Sequence, residues 1–297
     1  MNLFKRKQHD LVMTLLVKDE VDIIKYNIDY HLAHGVDFII AADNGSQDGT
    51  REILQFYERE GKLLFVDIND RIFVQNIIND ELAQLAKKKY GAKYIFHCDG
   101  DEFWVPKKGN IKKVFKKYKD HDVSIAQVVN VLLEDRGGFE SFPNDSVYAV
   151  CDPLDAVDLV QESMREGIFV YRYLPKVLLN MTRQNICVTP GNHYVINPQM
   201  YNIKNIDDIS VLHFPIRSKS QFLKKTLKGK IALSMHKTPK FQSYHWKMWH
   251  KAFLLGNLEY EYKQTLVSND VAQKLLREER IKKIDFSAII KNGSIKI

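Results

Sequence analysis

Cysteine is scarce in this chain: Cys98, Cys151 and Cys187 are the only three in 297 residues. They are odd in number, far apart and in no C-x-x-C pair, so neither a disulfide framework nor a zinc ribbon is supported, and a reducing cytoplasm suits them. No run approaches the roughly 18 consecutive apolar residues that span a bilayer. The basic start Met1-Asn-Leu-Phe-Lys-Arg-Lys-Gln-His-Asp10 lacks the apolar core of a signal peptide. These absences predict a soluble, cytoplasmic protein, at most peripheral at the cytoplasmic face of a membrane. Internal repeats and low-complexity linkers are missing, as are helix-turn-helix, zinc-finger and RNA-recognition signatures. A basic nucleic-acid-binding protein is therefore only the non-enzymatic alternative, and no nucleic acid is expected as partner.

What is present is enough apolar material, 45% of residues, to bury a sizeable core. The formal net charge of +7 favours anionic partners such as nucleotide phosphates or anionic lipid heads. Its excess is uneven. Lys107, Lys108, Lys112, Lys113, Lys116, Lys117 and Lys119 crowd one segment, which reads as a solvated face, and Lys219, Lys224, Lys225, Lys228 and Lys230 crowd another.

Short apolar runs at 11–17, 36–42, 63–66 and 94–98 read as strands. Between them Ile24, Ile28 and Leu32, then Ile53, Leu54, Phe56 and Tyr57, then Val74, Ile77, Ile78, Leu82 and Leu85 recur at helical spacing. Such alternation predicts a mainly parallel, Rossmann-like sheet with flanking helices, whose ligands sit beyond the carboxyl ends of the strands. Later strands are expected at 123–131, 169–174 and 209–213, with a helix near 110–119. A helical C-terminal region follows from Ser218. We divide the chain into residues 1–217, with a nucleotide-binding half 1–105 and an acceptor half 106–217, and the helical region 218–297.

The fourth strand stops on Asp99-Gly100-Asp101-Glu102. Residues two apart in an extended chain share a face, so Asp99 and Asp101 can present oxygens to one hard cation, and carboxylates suit Mn²⁺ or Mg²⁺. Asp43, in Asp43-Asn-Gly-Ser-Gln-Asp-Gly-Thr50, follows the second strand and so belongs to the same crevice. Its surroundings also make good turn and capping chemistry.

Three motifs in this order, Thr14-Leu-Leu-Val-Lys-Asp-Glu20, Asp43 to Thr50, and Asp99-Gly-Asp-Glu-Phe-Trp104, resemble family 2-type glycosyltransferases of GT-A fold. The likeness is strongest to the branch whose metal motif ends in Asp-Glu-Phe, which is also similar to glycosyltransferase family 92. It covers about the first 105 residues, with a second patch at Gly191-Asn-His193 and His213 to Ser218. The resemblance implies transfer, with inversion, of a sugar from a nucleoside-diphosphate sugar to a saccharide or lipid-linked acceptor. The donor nucleotide is taken as UDP by frequency alone.

It further implies that Thr14, Glu20, Asp43 and Gln75 contact the nucleoside, that Asp99 meets ribose or metal, and that Asp101 binds the metal. His213 completes the metal site, with His193 as its rival or as a phosphate contact. Arg217 and the following lysines, Lys230 among them, would face the departing diphosphate. Glu134 or Asp135 would be the general base, in competition with Asp152, Asp155 and Glu162. A nucleotidyltransferase is excluded because 15–20 contains no glycine, and a haloacid dehalogenase-like phosphatase because its acids belong on the first strand. A donor-binding homologue without turnover remains as a further alternative.

Overall fold

A computed structural model describes residues 9–68, 74–134, 146–154, 169–235 and 244–295, excluding the side chains at 146, 228–235 and 244–248. Its strands are β1 (Leu11–Val17), β2 (Phe38–Asp43), β3 (Leu63–Asp67), β4 (Tyr94–Asp99), β5 (Glu102–Pro106), β6 (Val123–Leu132), β7 (Ser146–Val150), β8 (Lys176–Asn180), β9 (Ile203–His213) and β10 (Ile281–Asp285). The helices are α1 (Ile24–Ala33), α2 (Thr50–Arg59), α3 (Gln75–Tyr90), α4 (Ile111–Lys117), α5 (Lys219–Met235), α6 (Tyr244–Leu254), α7 (Leu258–Thr265), α8 (Asn269–Arg277) and α9 (Phe286–Asn292). The mainly parallel α/β sheet with flanking helices implied by the GT-A resemblance is present.

Two compact units form. The first holds residues 1–128, 173–213 and 288–296, and the second 129–172, 214–287 and 297. In the first unit β3, β2, β1 and β4 run parallel, and β8 pairs antiparallel with β4 and with the start of β6. Register sets Val17 against Asp43 and Leu16 against Asp99. Both acids therefore end at the same edge of the sheet, two strands and about 10 Å apart. Val12, Ile40 and Ile95 of these strands pack with Leu82, Ala83 and Ala86 of α3 in one buried cluster. These largely apolar strands are buried because helices cover both faces of such sheets.

The second unit pairs Val131 and Leu132 of β6 with β7, and β7 along its length with β10. The C-terminal region thus contributes a strand besides its helices. Among the described residues Phe169–Leu174, expected as a strand, makes a single bridge, Tyr171 to Leu154. Asn130 Nδ2 instead donates to the carbonyls of Phe169 and Tyr171, at 3.1 and 3.4 Å.

Candidate functional site

The acidic turn at the end of β4 is gripped from beneath by α1. Ile24, Asn27, Ile28 and His31 form the buried stripe of that helix. Asn27 Nδ2 lies 2.7 Å from the carbonyl of Glu102, 3.1 Å from that of Gly100 and 3.4 Å from that of Asp99. One turn on, His31 Nε2 accepts from the Trp104 N–H at 3.2 Å, so Nδ1 carries the proton and donates to the Asn27 backbone or side-chain oxygen, at 2.8 and 3.0 Å. Burial pushes the His31 pKa down to about 3 and keeps the ring neutral. At Gly100 a Cβ would come 3.1 Å from Glu20 Cγ and 3.3 Å from Val17 Cγ1, so those side chains would have to shift by a few tenths of an ångström. Glu20, from the loop after β1, is thereby packed against the turn.

Truncating Asn27 to Ala should strand these buried carbonyls and lower unfolding free energy by about 2 kcal/mol. A urea midpoint shift reads it, and an unchanged midpoint would show that the clamp does not matter.

Above the clamp, Lys176 at the start of β8 reaches Asp99 Oδ2 at 2.6 Å and Glu102 Oε1 at 2.9 Å. Both Lys176 and Glu102 are only 2% exposed. Burial works against the ammonium, but Asp99 and Glu102 outweigh it and hold Lys176 charged. Glu102 is shifted upward, by burial first and by Asp99 and Asp101 after the opposing pull of Lys176. Two carboxylates thus meet one ammonium, with Asp101 between them in the turn.

Asp101 Oδ2 is 3.7 Å from His213 Nε2. The antiparallel pairing of β5 with β9 produces this, because it sets His213 opposite Glu102. The Tyr173 ring packs on His213 at 4.9 Å between centroids, and burial raises the phenol's pKa. Among the described residues no group of three or more His, Cys, Asp or Glu is disposed to hold a metal ion. The donor set nevertheless fits a cation of the Mg²⁺ or Mn²⁺ kind, which takes one or two protein carboxylates and completes its sphere with water and phosphate oxygens. Asp101 and His213 would hold it.

A second loop closes on this cluster. Gln75, first residue of α3, is 3.4 Å from Asp99 Oδ1 through Nε2 and accepts from the Gly191 N–H at 3.2 Å through Oε1. Asn79 donates to Asn192 at 2.6 Å, and His193 Nδ1 donates to the Pro175 carbonyl at 2.9 Å. Gly191 has φ +79°, and a Cβ there would fall 2.5 Å from the His193 ring, so only glycine fits. Burial, then the charge of Lys176, lowers the His193 pKa.

Gln75, Asp99, Asp101, His193, His213 and Glu20 are thus gathered in the first unit. Thr14 is placed differently: it lies within β1, 1% exposed, with Oγ1 2.5 Å from His97 Nδ1. Asp43 is wholly buried at the end of β2. It accepts from the Ser46 N–H and from Arg51, whose guanidinium also pairs with Asp67 and lies over Phe65. Its turn chemistry is therefore evident in the structure.

Glu134 and Arg217 belong to the second unit. Glu134 bridges to Val267, and buried Arg217 donates to the Phe214 carbonyl at 3.1 Å. Lys225 reaches the Pro215 carbonyl, and Asp152 pairs with Arg280. Asp135, Asp155, Glu162 and the Lys230 side chain lie outside the described residues. Sequence reasoning missed Asn27, His31, Tyr173 and Lys176. For the first two a signal existed, polar residues at the i+3 and i+7 positions of an apolar stripe that starts at Ile24.

A family model described as glycosyltransferase family 92 matches residues 12–278. No curated protein matches the chain. Solved structures with similarity include S. aureus TarS 1–349, at 12% identity and TM-score 0.41, over 82% of this chain and 70% of that one. TarS 1–349 in complex with UDP aligns at 13% identity and TM-score 0.32 over 46% and 40% of the two chains. Core-mannan synthase A from Aspergillus fumigatus, in its Mn/GDP form, aligns at 10% identity and TM-score 0.27 over 45% of each. The aligned part spans less than half the length of the latter two.

Proposed function

This chain belongs to glycosyltransferase family 92, and from that premise we propose that it moves a sugar from a nucleoside diphosphate to a saccharide or lipid-linked acceptor, with inversion. The observation that carries the proposal is the acidic turn after β4, where Asp101 faces His213 while Lys176 ties down its neighbours. A divalent cation at Asp101 and His213 would neutralise the diphosphate as the sugar–oxygen bond breaks. Asp99, Gln75 and Glu20, gathered at the turn, are assigned to the nucleoside. Thr14 acts in this reading by orienting His97, and Asp43 by shaping the loop after β2 with Ser46 and Arg51. His193 is assigned to the phosphates, and Arg217 and Lys230 are retained there from the resemblance. Glu134 or Asp135 is the assigned base, from its place in the sequence alone.

The test is a panel of UDP-, GDP-, CMP- and TDP-sugars, followed by thermal unfolding with and without Mn²⁺ or Mg²⁺ and by release of the nucleotide. One donor should stabilise the protein only when metal is present. Stabilisation without any transfer across a broad acceptor set would favour the donor-binding homologue without turnover. Failure of every nucleotide to stabilise would sink the proposal. In the same assay Glu134→Gln or Asp135→Asn should keep donor binding and lose transfer, and full transfer by both would place the base elsewhere.

A further inference from the structure

The carboxylates of the turn are not equivalent. Asp99 Oδ1 faces Gln75 Nε2 at 3.4 Å, and its Oδ2 takes the Lys176 ammonium at 2.6 Å. Glu102 Oε1 takes the same ammonium at 2.9 Å, and its Oε2 accepts from the Asp99 backbone N–H at 3.3 Å. Each of the four oxygens flanking Asp101 therefore already has a donor from the chain itself. Asp101 Oδ2 lies 3.7 Å from the His213 imidazole.

We propose that Lys176 is a built-in cation that occupies the acidic turn permanently, holding Asp99 and Glu102 off the metal so that a single divalent ion binds at Asp101 and His213 and binds firmly only together with a nucleoside diphosphate. This rests on the metal-dependent reading above and adds to it a positioning residue and an order of binding.

The charge balance carries the argument. Asp99, Asp101 and Glu102 ionised beside no cation would carry three negative charges in a small, largely buried volume. Such a cluster would capture a divalent ion directly or shed its charge by protonation. The ammonium removes one of these charges at 2.6–2.9 Å and, being compact with three donors, bridges two carboxylates as a point charge. It is delivered by β8, whose pairing with β4 sets it beside the turn, and it is too buried to be replaced there by a surface side chain. An incoming metal then meets Asp101 and His213 in a reduced field. Phosphate oxygens must then supply much of the binding, which suits a site whose metal arrives with its substrate.

The measurement is Mn²⁺ binding followed by electron paramagnetic resonance, on the full chain with and without UDP and GDP. In the wild type a diphosphate should tighten Mn²⁺ binding at one site per chain. Lys176→Met should bind Mn²⁺ about tenfold more tightly without nucleotide, because a neighbouring positive charge has gone. Lys176→Met/Glu102→Gln removes one charge of each sign and should return to within about threefold of wild type. Equal or weaker Mn²⁺ binding by the single variant overturns the proposal, as does a double variant that stays as tight as the single.

Asp99→Asn supplies an arm that needs no change at Lys176. It should weaken Mn²⁺ binding by only about tenfold, the cost of one neighbouring charge, where Asp101→Asn abolishes it, and equal loss in both overturns the proposal by making Asp99 a ligand. A wild type that binds no Mn²⁺ even with both nucleotides removes the metal reading itself, and the role of Lys176 falls with it. Normal wild-type binding with an unresponsive Lys176→Met removes only the inference.

Discussion

Asp101→Asn should abolish metal-dependent stabilisation by the donor nucleotide and cut sugar transfer by about a thousandfold. The substitution keeps size and hydrogen-bonding shape but replaces a charged ligand with a neutral amide, so the loss would fall on the cation rather than on the fold. Asp101 is 7% exposed and lies in a turn whose backbone is held by Asn27 and by the β5–β9 ladder, neither of which involves its carboxylate. Unfolding without nucleotide should therefore stay close to wild type. Saturating donor at 100 times its dissociation constant stabilises a binding protein by about 2.7 kcal/mol. That increment, present in the wild type with Mn²⁺ and absent in the variant, separates lost binding from lost folding. Transfer above about a tenth of wild type by Asp101→Asn would be incompatible with Asp101 as the principal metal ligand.

The first four strands were readable because each is a short apolar run followed by a helical stripe, and parallel α/β sheets leave that pattern in sequence. Asp43 and Asp99 could be assigned to one edge for the same reason, and the register confirms it. Lys176 could not be read this way. Its partner Asp99 is 77 residues earlier, and the contact exists only because β8 returns antiparallel beside β4 after a long excursion. His213 was legible as a strand-borne histidine after an apolar run, but its facing Asp101 depends on the β5–β9 pairing, and β5 begins within the motif itself. Asn27 and His31 were hidden differently: they sit in a stripe whose apolar members drew the helix prediction, and their burial makes sense only once the turn above them is in place.

Acidification should unfold this protein well before its surface carboxylates titrate. His31 and His97 are fully buried and held neutral, burial pushing each pKa down to about 3. The His31 ring is fixed as an acceptor for Trp104, and His97 is seated against Thr14. In the unfolded chain both would titrate near the ordinary histidine value of about 6.5. Between these limits the unfolded state binds more protons, so stability falls as pH drops below about 6.5, and by pH 4 each histidine has withdrawn about 3 kcal/mol. Glu102 acts in the opposite sense. Its folded pKa is raised by burial, so the native state takes up a proton as pH falls while the unfolded chain does not, and stability rises. Two buried histidines act against this one carboxylate, so stability falls as pH drops from 6 to 5. Urea midpoints measured at half-unit steps from pH 8 to 4.5 should show a maximum near pH 6.5 to 7 and a steep decline below it. His97→Gln, which keeps an amide for Thr14 but cannot titrate, should flatten that decline. A midpoint that holds constant down to pH 4.5 would mean that the two rings are hydrated or paired in solution and that the α1 grip on the acidic turn is looser than its geometry implies.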